Sequence, residues 1–162
     1  MLVLGAFGVV VVAGCAGKRI EHGVFHSPKG YQVAVPGDGW TVIRDSRADL
    51  ELRRDDRLGM LVNAACAAES SRSTLPVLER HLLSGLRERA LVMAEDVVLA
   101  GRPARHAVVD GRSQDARGPV RVELYVMRDG SCVYDLLYAA PPDAYEGGRP
   151  DFERFVKTFR VE

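Results

Sequence analysis

The amino-acid sequence predicts an α+β fold, an antiparallel β-sheet flanked by helices. After residue 30, most segments alternate apolar and polar side chains with the period of a strand, and two segments repeat apolar residues at helical spacing. The order is strands and a hairpin, one long helix, a three-stranded meander and a terminal helix, which is typical of an α+β domain. A chain of 162 residues is long enough for one domain with a substantial core.

The first strands are predicted from alternation and turn signals. Residues 31–35 alternate, a turn follows at residues 36–39, and residues 40–43 resume the strand pattern. Residues 49–54 and 58–66 then predict a hairpin with a charged tip between them.

One long helix is predicted next. Ser73 or Thr74 is suited to cap it, and Pro76 is tolerated in a first helical turn. Apolar residues at spacings of three and four predict an amphipathic helix of about five turns, and they are Leu75, Leu78, Leu82, Leu86 and Ala90.

The meander is predicted from residue 97 onward. Residues 97–99 and 105–110 flank a Gly-Arg-Pro step, residues 120–128 alternate strongly, and Asp129 with Gly130 is a hairpin signal before the apolar residues 132–139.

A terminal helix closes the chain. Pro141 and Pro142 stop the preceding strand, and Asp151 is suited to cap the helix. Its apolar stripe is predicted to consist of Phe152, Phe155, Val156 and Phe159.

The segment before Cys15 is apolar and uncharged. As a helix its fourteen residues would be about 21 Å long, short of the roughly 30 Å hydrocarbon core of a bilayer. A short apolar run ending in small residues is typical of a secretory signal, although the usual Lys or Arg is missing, so the true start of translation is open. The alternative is a buried N-terminal element of a cytoplasmic protein.

Val12-Ala13-Gly14-Cys15 resembles the lipobox of bacterial lipoproteins. The resemblance implies cleavage after Gly14 and acylation of Cys15, and hence a signal peptide (residues 1–14), a lipidated tether (residues 15–29) and one domain (residues 30–162). Each buried lipid methylene would add about 0.8 kcal/mol of membrane affinity. Ala16 is not the aspartate of an inner-membrane retention signal, which favours the outer membrane, facing the periplasm.

The domain resembles the PsbP-like family over residues 24–160. The resemblance rests on the segment 31–36 followed by Trp40, on the Gly-Arg-Pro-Ala step at residues 101–104, and on the closing helix at residues 152–159. It implies an α-β-α sandwich around an antiparallel sheet, and a role in binding or assembly through contacts with other proteins.

Composition and motifs argue against several functions. Lys plus Arg total 22 and Asp plus Glu total 22, so no net field draws the chain onto nucleic acid. The sequence contains no Gly-x-Ser-x-Gly elbow, no phosphate-binding loop and no His-Glu-x-x-His helix. We therefore expect no catalytic residue, no cofactor and no metal.

The four histidines are the candidates for metal binding or acid–base chemistry. His22 and His26 have the spacing of two metal ligands on a helix, but they lie in the predicted tether with only Glu21 beside them, so solvated linker positions are favoured. His81 and His106 would each suit a general base, yet neither has an adjacent serine or cysteine. Surface or boundary positions are favoured for both.

Cys66 and Cys132 are the thiols left after lipidation, and an exported domain would place them in an oxidising compartment. They can form a disulfide if their strands are neighbours in matching register, with Cα atoms within about 7 Å. The alternative is two separately buried small residues.

Two features suit a contact surface. Trp40, Tyr134, Tyr138 and Tyr145 form either an aromatic recognition surface or part of the core. The polar residues 111–118 form either a contact loop or a solvated one.

The sequence thus indicates a lipid-anchored envelope protein that acts as a non-enzymatic binding or assembly module for an envelope protein. An enzyme would instead show a pocket where His81 or His106 meets an acid and a nucleophile. A small-ligand carrier would show an apolar cavity beside the sheet with a few polar groups.

Overall fold

A computed structural model describes residues 19–37, 39–67, 72–113 and 118–162. Within these ranges the strands form one sheet of four strands and one of seven, and every pairing is antiparallel. The predicted signal peptide and Cys15 lie outside the described residues.

The four-stranded sheet is built from both ends of the domain. Its strands, in spatial order, are β1 (Arg19–Glu21), β2 (Val24–Ser27), β3 (Tyr31–Ala34) and β11 (Arg160–Val161). The β1–β2 hairpin corrects the tether predicted for residues 15–29 from Arg19 onward. The physical reason is Phe25, whose ring is buried in the core and makes this segment part of the domain.

The seven-stranded sheet carries the rest of the chain. Its strands, in spatial order, are β4 (Thr41–Val42), β5 (Leu50–Arg54), β6 (Leu58–Cys66), β10 (Cys132–Ala140), β9 (Pro119–Asp129), β8 (Arg102–Ser113) and β7 (Leu86–Leu99). The pairing of β5 with β6 confirms the predicted hairpin, and the consecutive pairing of β8, β9 and β10 confirms the meander.

The first helix, α1, is shorter than the sequence predicts. It covers Leu75–Leu82, a 3-10 turn follows at Leu83–Gly85, and Leu86 begins β7. The prediction of five helical turns is therefore wrong. Leu83 and Leu86 are buried in one apolar cluster, and Leu82 packs against it. The spacing of Leu82 and Leu86 therefore reflects contact with this shared cluster and not one continuous helix, because the chain from Leu86 onward is a strand paired with β8.

The second helix, α2, begins earlier than predicted and covers Tyr145–Thr158. Asp151 therefore lies inside the helix and does not cap it. Its carboxylate accepts hydrogen bonds from Trp40 Nε1 at 3.0 Å and from an Arg54 guanidinium nitrogen at 2.7 Å, and these bonds tie the helix to the seven-stranded sheet. The predicted apolar stripe is buried, as expected: Phe152, Phe155, Val156 and Phe159.

The two faces of the seven-stranded sheet are covered differently. On the first, which we call the α2 face, α2 and the four-stranded sheet enclose the larger core cluster. On the opposite α1 face, α1 contacts β8 and β9. The fold is therefore a sheet-rich α+β fold and not the simple α-β-α sandwich that was predicted, because one short helix covers only part of the α1 face.

Candidate functional site

A groove of about 970 Å³ opens on the α1 face beside α1. Leu61 on β6 and Leu137 on β10 lie directly opposite each other in its lining, with Val122 of β9 nearby. Leu82 and Leu86 line the side next to α1. Strand alternation places these β6, β9 and β10 side chains on the α1 face, so the groove has an apolar floor open to solvent.

The rim of the groove is charged, with two acids paired to arginines and a third acid, Asp56, exposed. Arg53 Nε lies 3.1 Å from a Glu51 carboxylate oxygen, and an Arg57 guanidinium nitrogen lies 2.7 Å from an Asp143 carboxylate oxygen. The hydrogen bond from Arg57 holds the pKa of Asp143 below its usual value. An apolar floor with a polar rim is the usual anatomy of a protein-binding surface.

A buried carboxyl group lies on the same face of the sheet, two residues from Leu137 on β10. Beyond Leu61 and Leu137, the next opposed pair on this face is Asn63 on β6 and Asp135 on β10. Asp135 is only 9% exposed, and its Oδ1 atom has no hydrogen-bond partner among the described residues. Burial raises the pKa of Asp135 to about 7. Sequence reasoning missed this residue, although an aspartate in the middle of an apolar strand is a visible signal.

His106 belongs to a different cluster, on the α2 face. Its Nε2 atom lies 2.8 Å from Glu123 Oε1, and its Nδ1 atom lies 3.2 Å from Glu95 Oε1. The Tyr125 ring stacks on the imidazole with ring centroids 4.1 Å apart. The Tyr145 hydroxyl donates a short hydrogen bond to the second Glu123 oxygen.

The hydrogen bonds of this cluster favour the protonated form of His106. Burial alone would lower the pKa of His106, but hydrogen bonds to Glu123 and Glu95 outweigh it, and the pKa is raised. An imidazolium can donate to both carboxylates, and it then has no lone pair with which to accept a proton. The contacts described for His106 are with acids and an aromatic ring, so the nucleophile that the enzyme interpretation requires is not seen there.

The other histidines do not converge on a site. His22 lies in the β1–β2 turn, and His26 Nδ1 lies 3.9 Å from a carboxylate oxygen of Glu162. His81 is exposed on α1. In the described ranges no group of three or more His, Cys, Asp or Glu side chains is placed to hold a metal ion.

Cys66 and Cys132 are directly opposed on the neighbouring strands β6 and β10. Their Cα atoms are 4.0 Å apart, and the structure joins the two sulfur atoms as a disulfide. The bridge closes the end of the β6–β10 pairing that lies beyond Asn63 and Asp135.

The predicted aromatic surface is mostly core. Tyr134, Tyr138 and Tyr145 are buried, and Trp40 is half-buried against the same cluster. Residues 114–117 of the predicted contact loop lie outside the described residues. Among the helices that the structure describes, none has the length and apolarity needed to cross a bilayer.

Comparison with known proteins bears on the fold. No protein-family model matches the chain, and no match was found among curated protein sequences. Among solved structures, the chain is similar to the cyanobacterial PsbP protein CyanoP from Synechocystis, with a TM-score of 0.63 at 14% identity over 98% of this chain and 100% of that one. The fold is therefore PsbP-like.

Two further structures share this fold. LpqN of Mycobacterium tuberculosis, described as involved in cell envelope biogenesis, matches with a TM-score of 0.57 at 13% identity over 83% of this chain and 86% of that one. The Ran-binding protein Mog1p of Saccharomyces cerevisiae matches with a TM-score of 0.51 at 12% identity over 82% of this chain and 90% of that one. At such identities the similarity defines the fold and not the function.

Proposed function

We propose that this protein is a lipid-anchored, non-enzymatic binding module of the bacterial cell envelope, and that it binds an envelope protein through the groove on its α1 face. The open apolar floor around Leu61 and Leu137 carries the proposal, because a contiguous apolar surface enclosed by a polar rim is typical of a protein-binding site.

The fold neighbours are consistent with a binding role. Mog1p is a Ran-binding protein, and LpqN is involved in cell envelope biogenesis. The cluster around His106 also favours binding over catalysis, since both ring nitrogens already face carboxylates.

The proposed anchor would hold the domain close to the membrane. Arg19, the first residue of β1, follows Cys15 by four positions. Four extended residues span at most about 14 Å. A partner of the groove would therefore be a membrane protein or one held at the membrane surface, and Ala16 favours the periplasmic face of the outer membrane.

The anchor is tested by the intact mass of the protein extracted from membranes of the native host. The wild type should lack residues 1–14 and carry acyl mass, and Cys15→Ala should carry none. A wild-type protein that retains residues 1–14 without lipid would overturn the proposed address.

The groove is tested by a photo-crosslinking amino acid placed at Leu137 in the membrane-bound protein. We expect a crosslinked protein of one defined mass. A matched probe at Val98, an exposed apolar residue on β7 that does not line the groove, should not give it. An adduct of lipid or small-molecule mass at Leu137 would favour the carrier function instead, and no groove-specific adduct would contradict the binding role.

A further inference from the structure

Among the residues that the structure describes, Asp135 has no electrostatic partner to offset its burial. Its neighbours across the sheet are Asn63 on β6 and Val126 on β9, neither of which carries a charge. Burial is the one influence that acts on its pKa, so no charged side chain of the described chain compensates it. A polar group that is taken out of water without a partner is costly to a fold.

The nearby cations are engaged elsewhere. Arg128, on β9 and the same face, donates to the backbone carbonyl of Ser73 at 3.0 Å. Arg105, on β8, donates to Glu79 of α1 at 2.9 Å and to Asp96 of β7 at 3.1 Å. The contacts described for both guanidinium groups are therefore with partners other than Asp135.

The position of Asp135 relates it to the groove. It lies two residues before Leu137 on β10, and side chains two residues apart on a strand share a face at a separation of about 7 Å. Asn63 has the same relation to Leu61 on β6. Asn63 and Asp135 do not line the groove itself, but they are the next opposed pair on the same face beyond its floor, toward the disulfide.

We propose that the occupant of the groove is an apolar segment of the partner protein that carries a lysine or arginine, and that this cation pairs with Asp135. The inference rests on the proposed function. The long stem of a lysine or arginine packs on apolar surface while its charged end reaches a polar group, which suits a floor of leucines with a carboxyl group just beyond it. The rim carboxylates of Glu51 and Asp143 already have arginine partners, and the carboxylate of Asp56 is exposed on the rim. Asp135 is therefore the buried acceptor available to an incoming cation.

The proposal is tested with the photo-crosslinker at Leu137 in the membrane-bound full chain, with and without Asp135→Asn. Mass spectrometry of the crosslinked peptide should identify an apolar segment containing a lysine or arginine. Since losing one member of a buried charge pair weakens binding strongly, Asp135→Asn should lower the crosslinking yield at least about tenfold. Glu146→Gln, which removes an exposed carboxylate of α2 on the opposite side of the sheet, is the control and should leave the yield within about twofold.

Exchanging the charges of Asp135 and of its partner residue tests the pairing directly, because a merely structural role of Asp135 would not make the two changes compensate each other. Replacing the identified basic residue of the partner with aspartate should abolish the crosslink to the wild type, and Asp135→Lys should restore it. A crosslinked segment without a basic residue, or a yield unchanged by Asp135→Asn, would overturn this inference while leaving the groove as a binding site. Absence of any groove-specific crosslink would instead overturn the proposed function.

Discussion

The Nε2 atom of His106 lies 2.8 Å from the Oε1 atom of Glu123, and both side chains are buried between the seven-stranded sheet and α2. Glu123 is 1% exposed, so its charge depends on this cluster for compensation. Burial would raise the pKa of Glu123, but hydrogen bonds from His106 and Tyr145 outweigh it, and the pKa is lowered. Both shifts therefore favour the charged form of each partner, an imidazolium beside a carboxylate.

Removing the acid should leave the His106 imidazolium with the more exposed Glu95 as its remaining described carboxylate partner. We expect Glu123→Gln to lower the free energy of unfolding by about 3–5 kcal/mol, measured by urea denaturation. Glu95→Gln is the control, because Glu95 contacts the same imidazole but its side chain is 54% exposed, and its loss should cost less than about 1 kcal/mol. Equal losses in the two variants would contradict this account.

The same pair predicts how stability varies with pH. The pKa of His106 is raised on folding, so its contribution is fully present below the unfolded-state pKa of about 6.5 and is lost as pH rises through the higher folded-state pKa. The pKa of Glu123 is lowered, so its contribution is present above about 4.5 and is lost as pH falls through the folded-state value. Melting temperatures of the wild type should fall as pH rises above 6.5, and His106→Gln should reduce this fall. A parallel curve for the variant would contradict the assignment to His106.

The sequence predicts the strands more reliably than the helices. Alternation located β5, β6, β9 and β10, because each of these strands packs at least one face against a core. It failed at Leu86, where a leucine in helical register with Leu82 is buried from a strand. The pairing of β7 with β8 makes this segment a strand and not a helix, and such long-range pairing is not visible in the local spacing of residues.

The candidate site was predicted only in part. The sequence raised the question of whether Cys66 and Cys132 are bonded, but it could not supply the β6–β10 register that places them opposite each other. That register also creates the groove, by aligning Leu61 with Leu137, and brings Asn63 opposite Asp135. The two cysteines are 66 positions apart in the sequence, and the order of the strands in the sheet brings them together.

Two adjacent glycines of α2 allow a matched test of how this helix packs on the sheet. A Cβ atom at Gly148 would collide with the Tyr138 hydroxyl and lie 3.1 Å from Leu58 Cδ1, whereas a Cβ at Gly147 would meet nothing within 4 Å. Gly148→Ala should therefore destabilise the protein by about 1–3 kcal/mol through overpacking. Gly147→Ala should stabilise it by about 0.5–1 kcal/mol, because alanine favours helix. Calorimetric melting would reveal opposite shifts, and a shift of the same sign in both variants would contradict this packing.

The disulfide predicts a measurable link between redox state and stability. Cys66 and Cys132 are 66 residues apart, and cross-linking a loop of this length stabilises a fold by about 4 kcal/mol in the chain-entropy model. In Cys15→Ala protein that has not been reduced, a thiol count under denaturing conditions should find no reactive thiol, and reduction should release two. The Cys66→Ala, Cys132→Ala double variant should lose up to that stability in urea. Two reactive thiols before reduction would show that the bond is not formed.

Replacing Asp135 should change the stability of the protein and its binding to the partner in opposite directions. Its pKa is raised by burial to about 7. The neutral form is therefore favoured by folding, and the associated stability is present below the unfolded-state pKa of about 3.9 and lost as pH rises through 7. Asp135→Asn keeps the shape and removes the charge, so the variant should be more stable than the wild type by about 2–4 kcal/mol at pH 8 and nearly equal to it at pH 4.

Urea denaturation of both proteins between pH 4 and 8 measures this difference. Asp143→Asn is the control, because the hydrogen bond from Arg57 lowers the pKa of Asp143 and its removal should not stabilise the protein at pH 8. If Asp135→Asn is more stable yet binds its partner less well, the carboxyl group is retained at a cost to folding because the groove needs it. A variant that is less stable than the wild type at pH 8 would show instead that the carboxylate already has a partner within the chain.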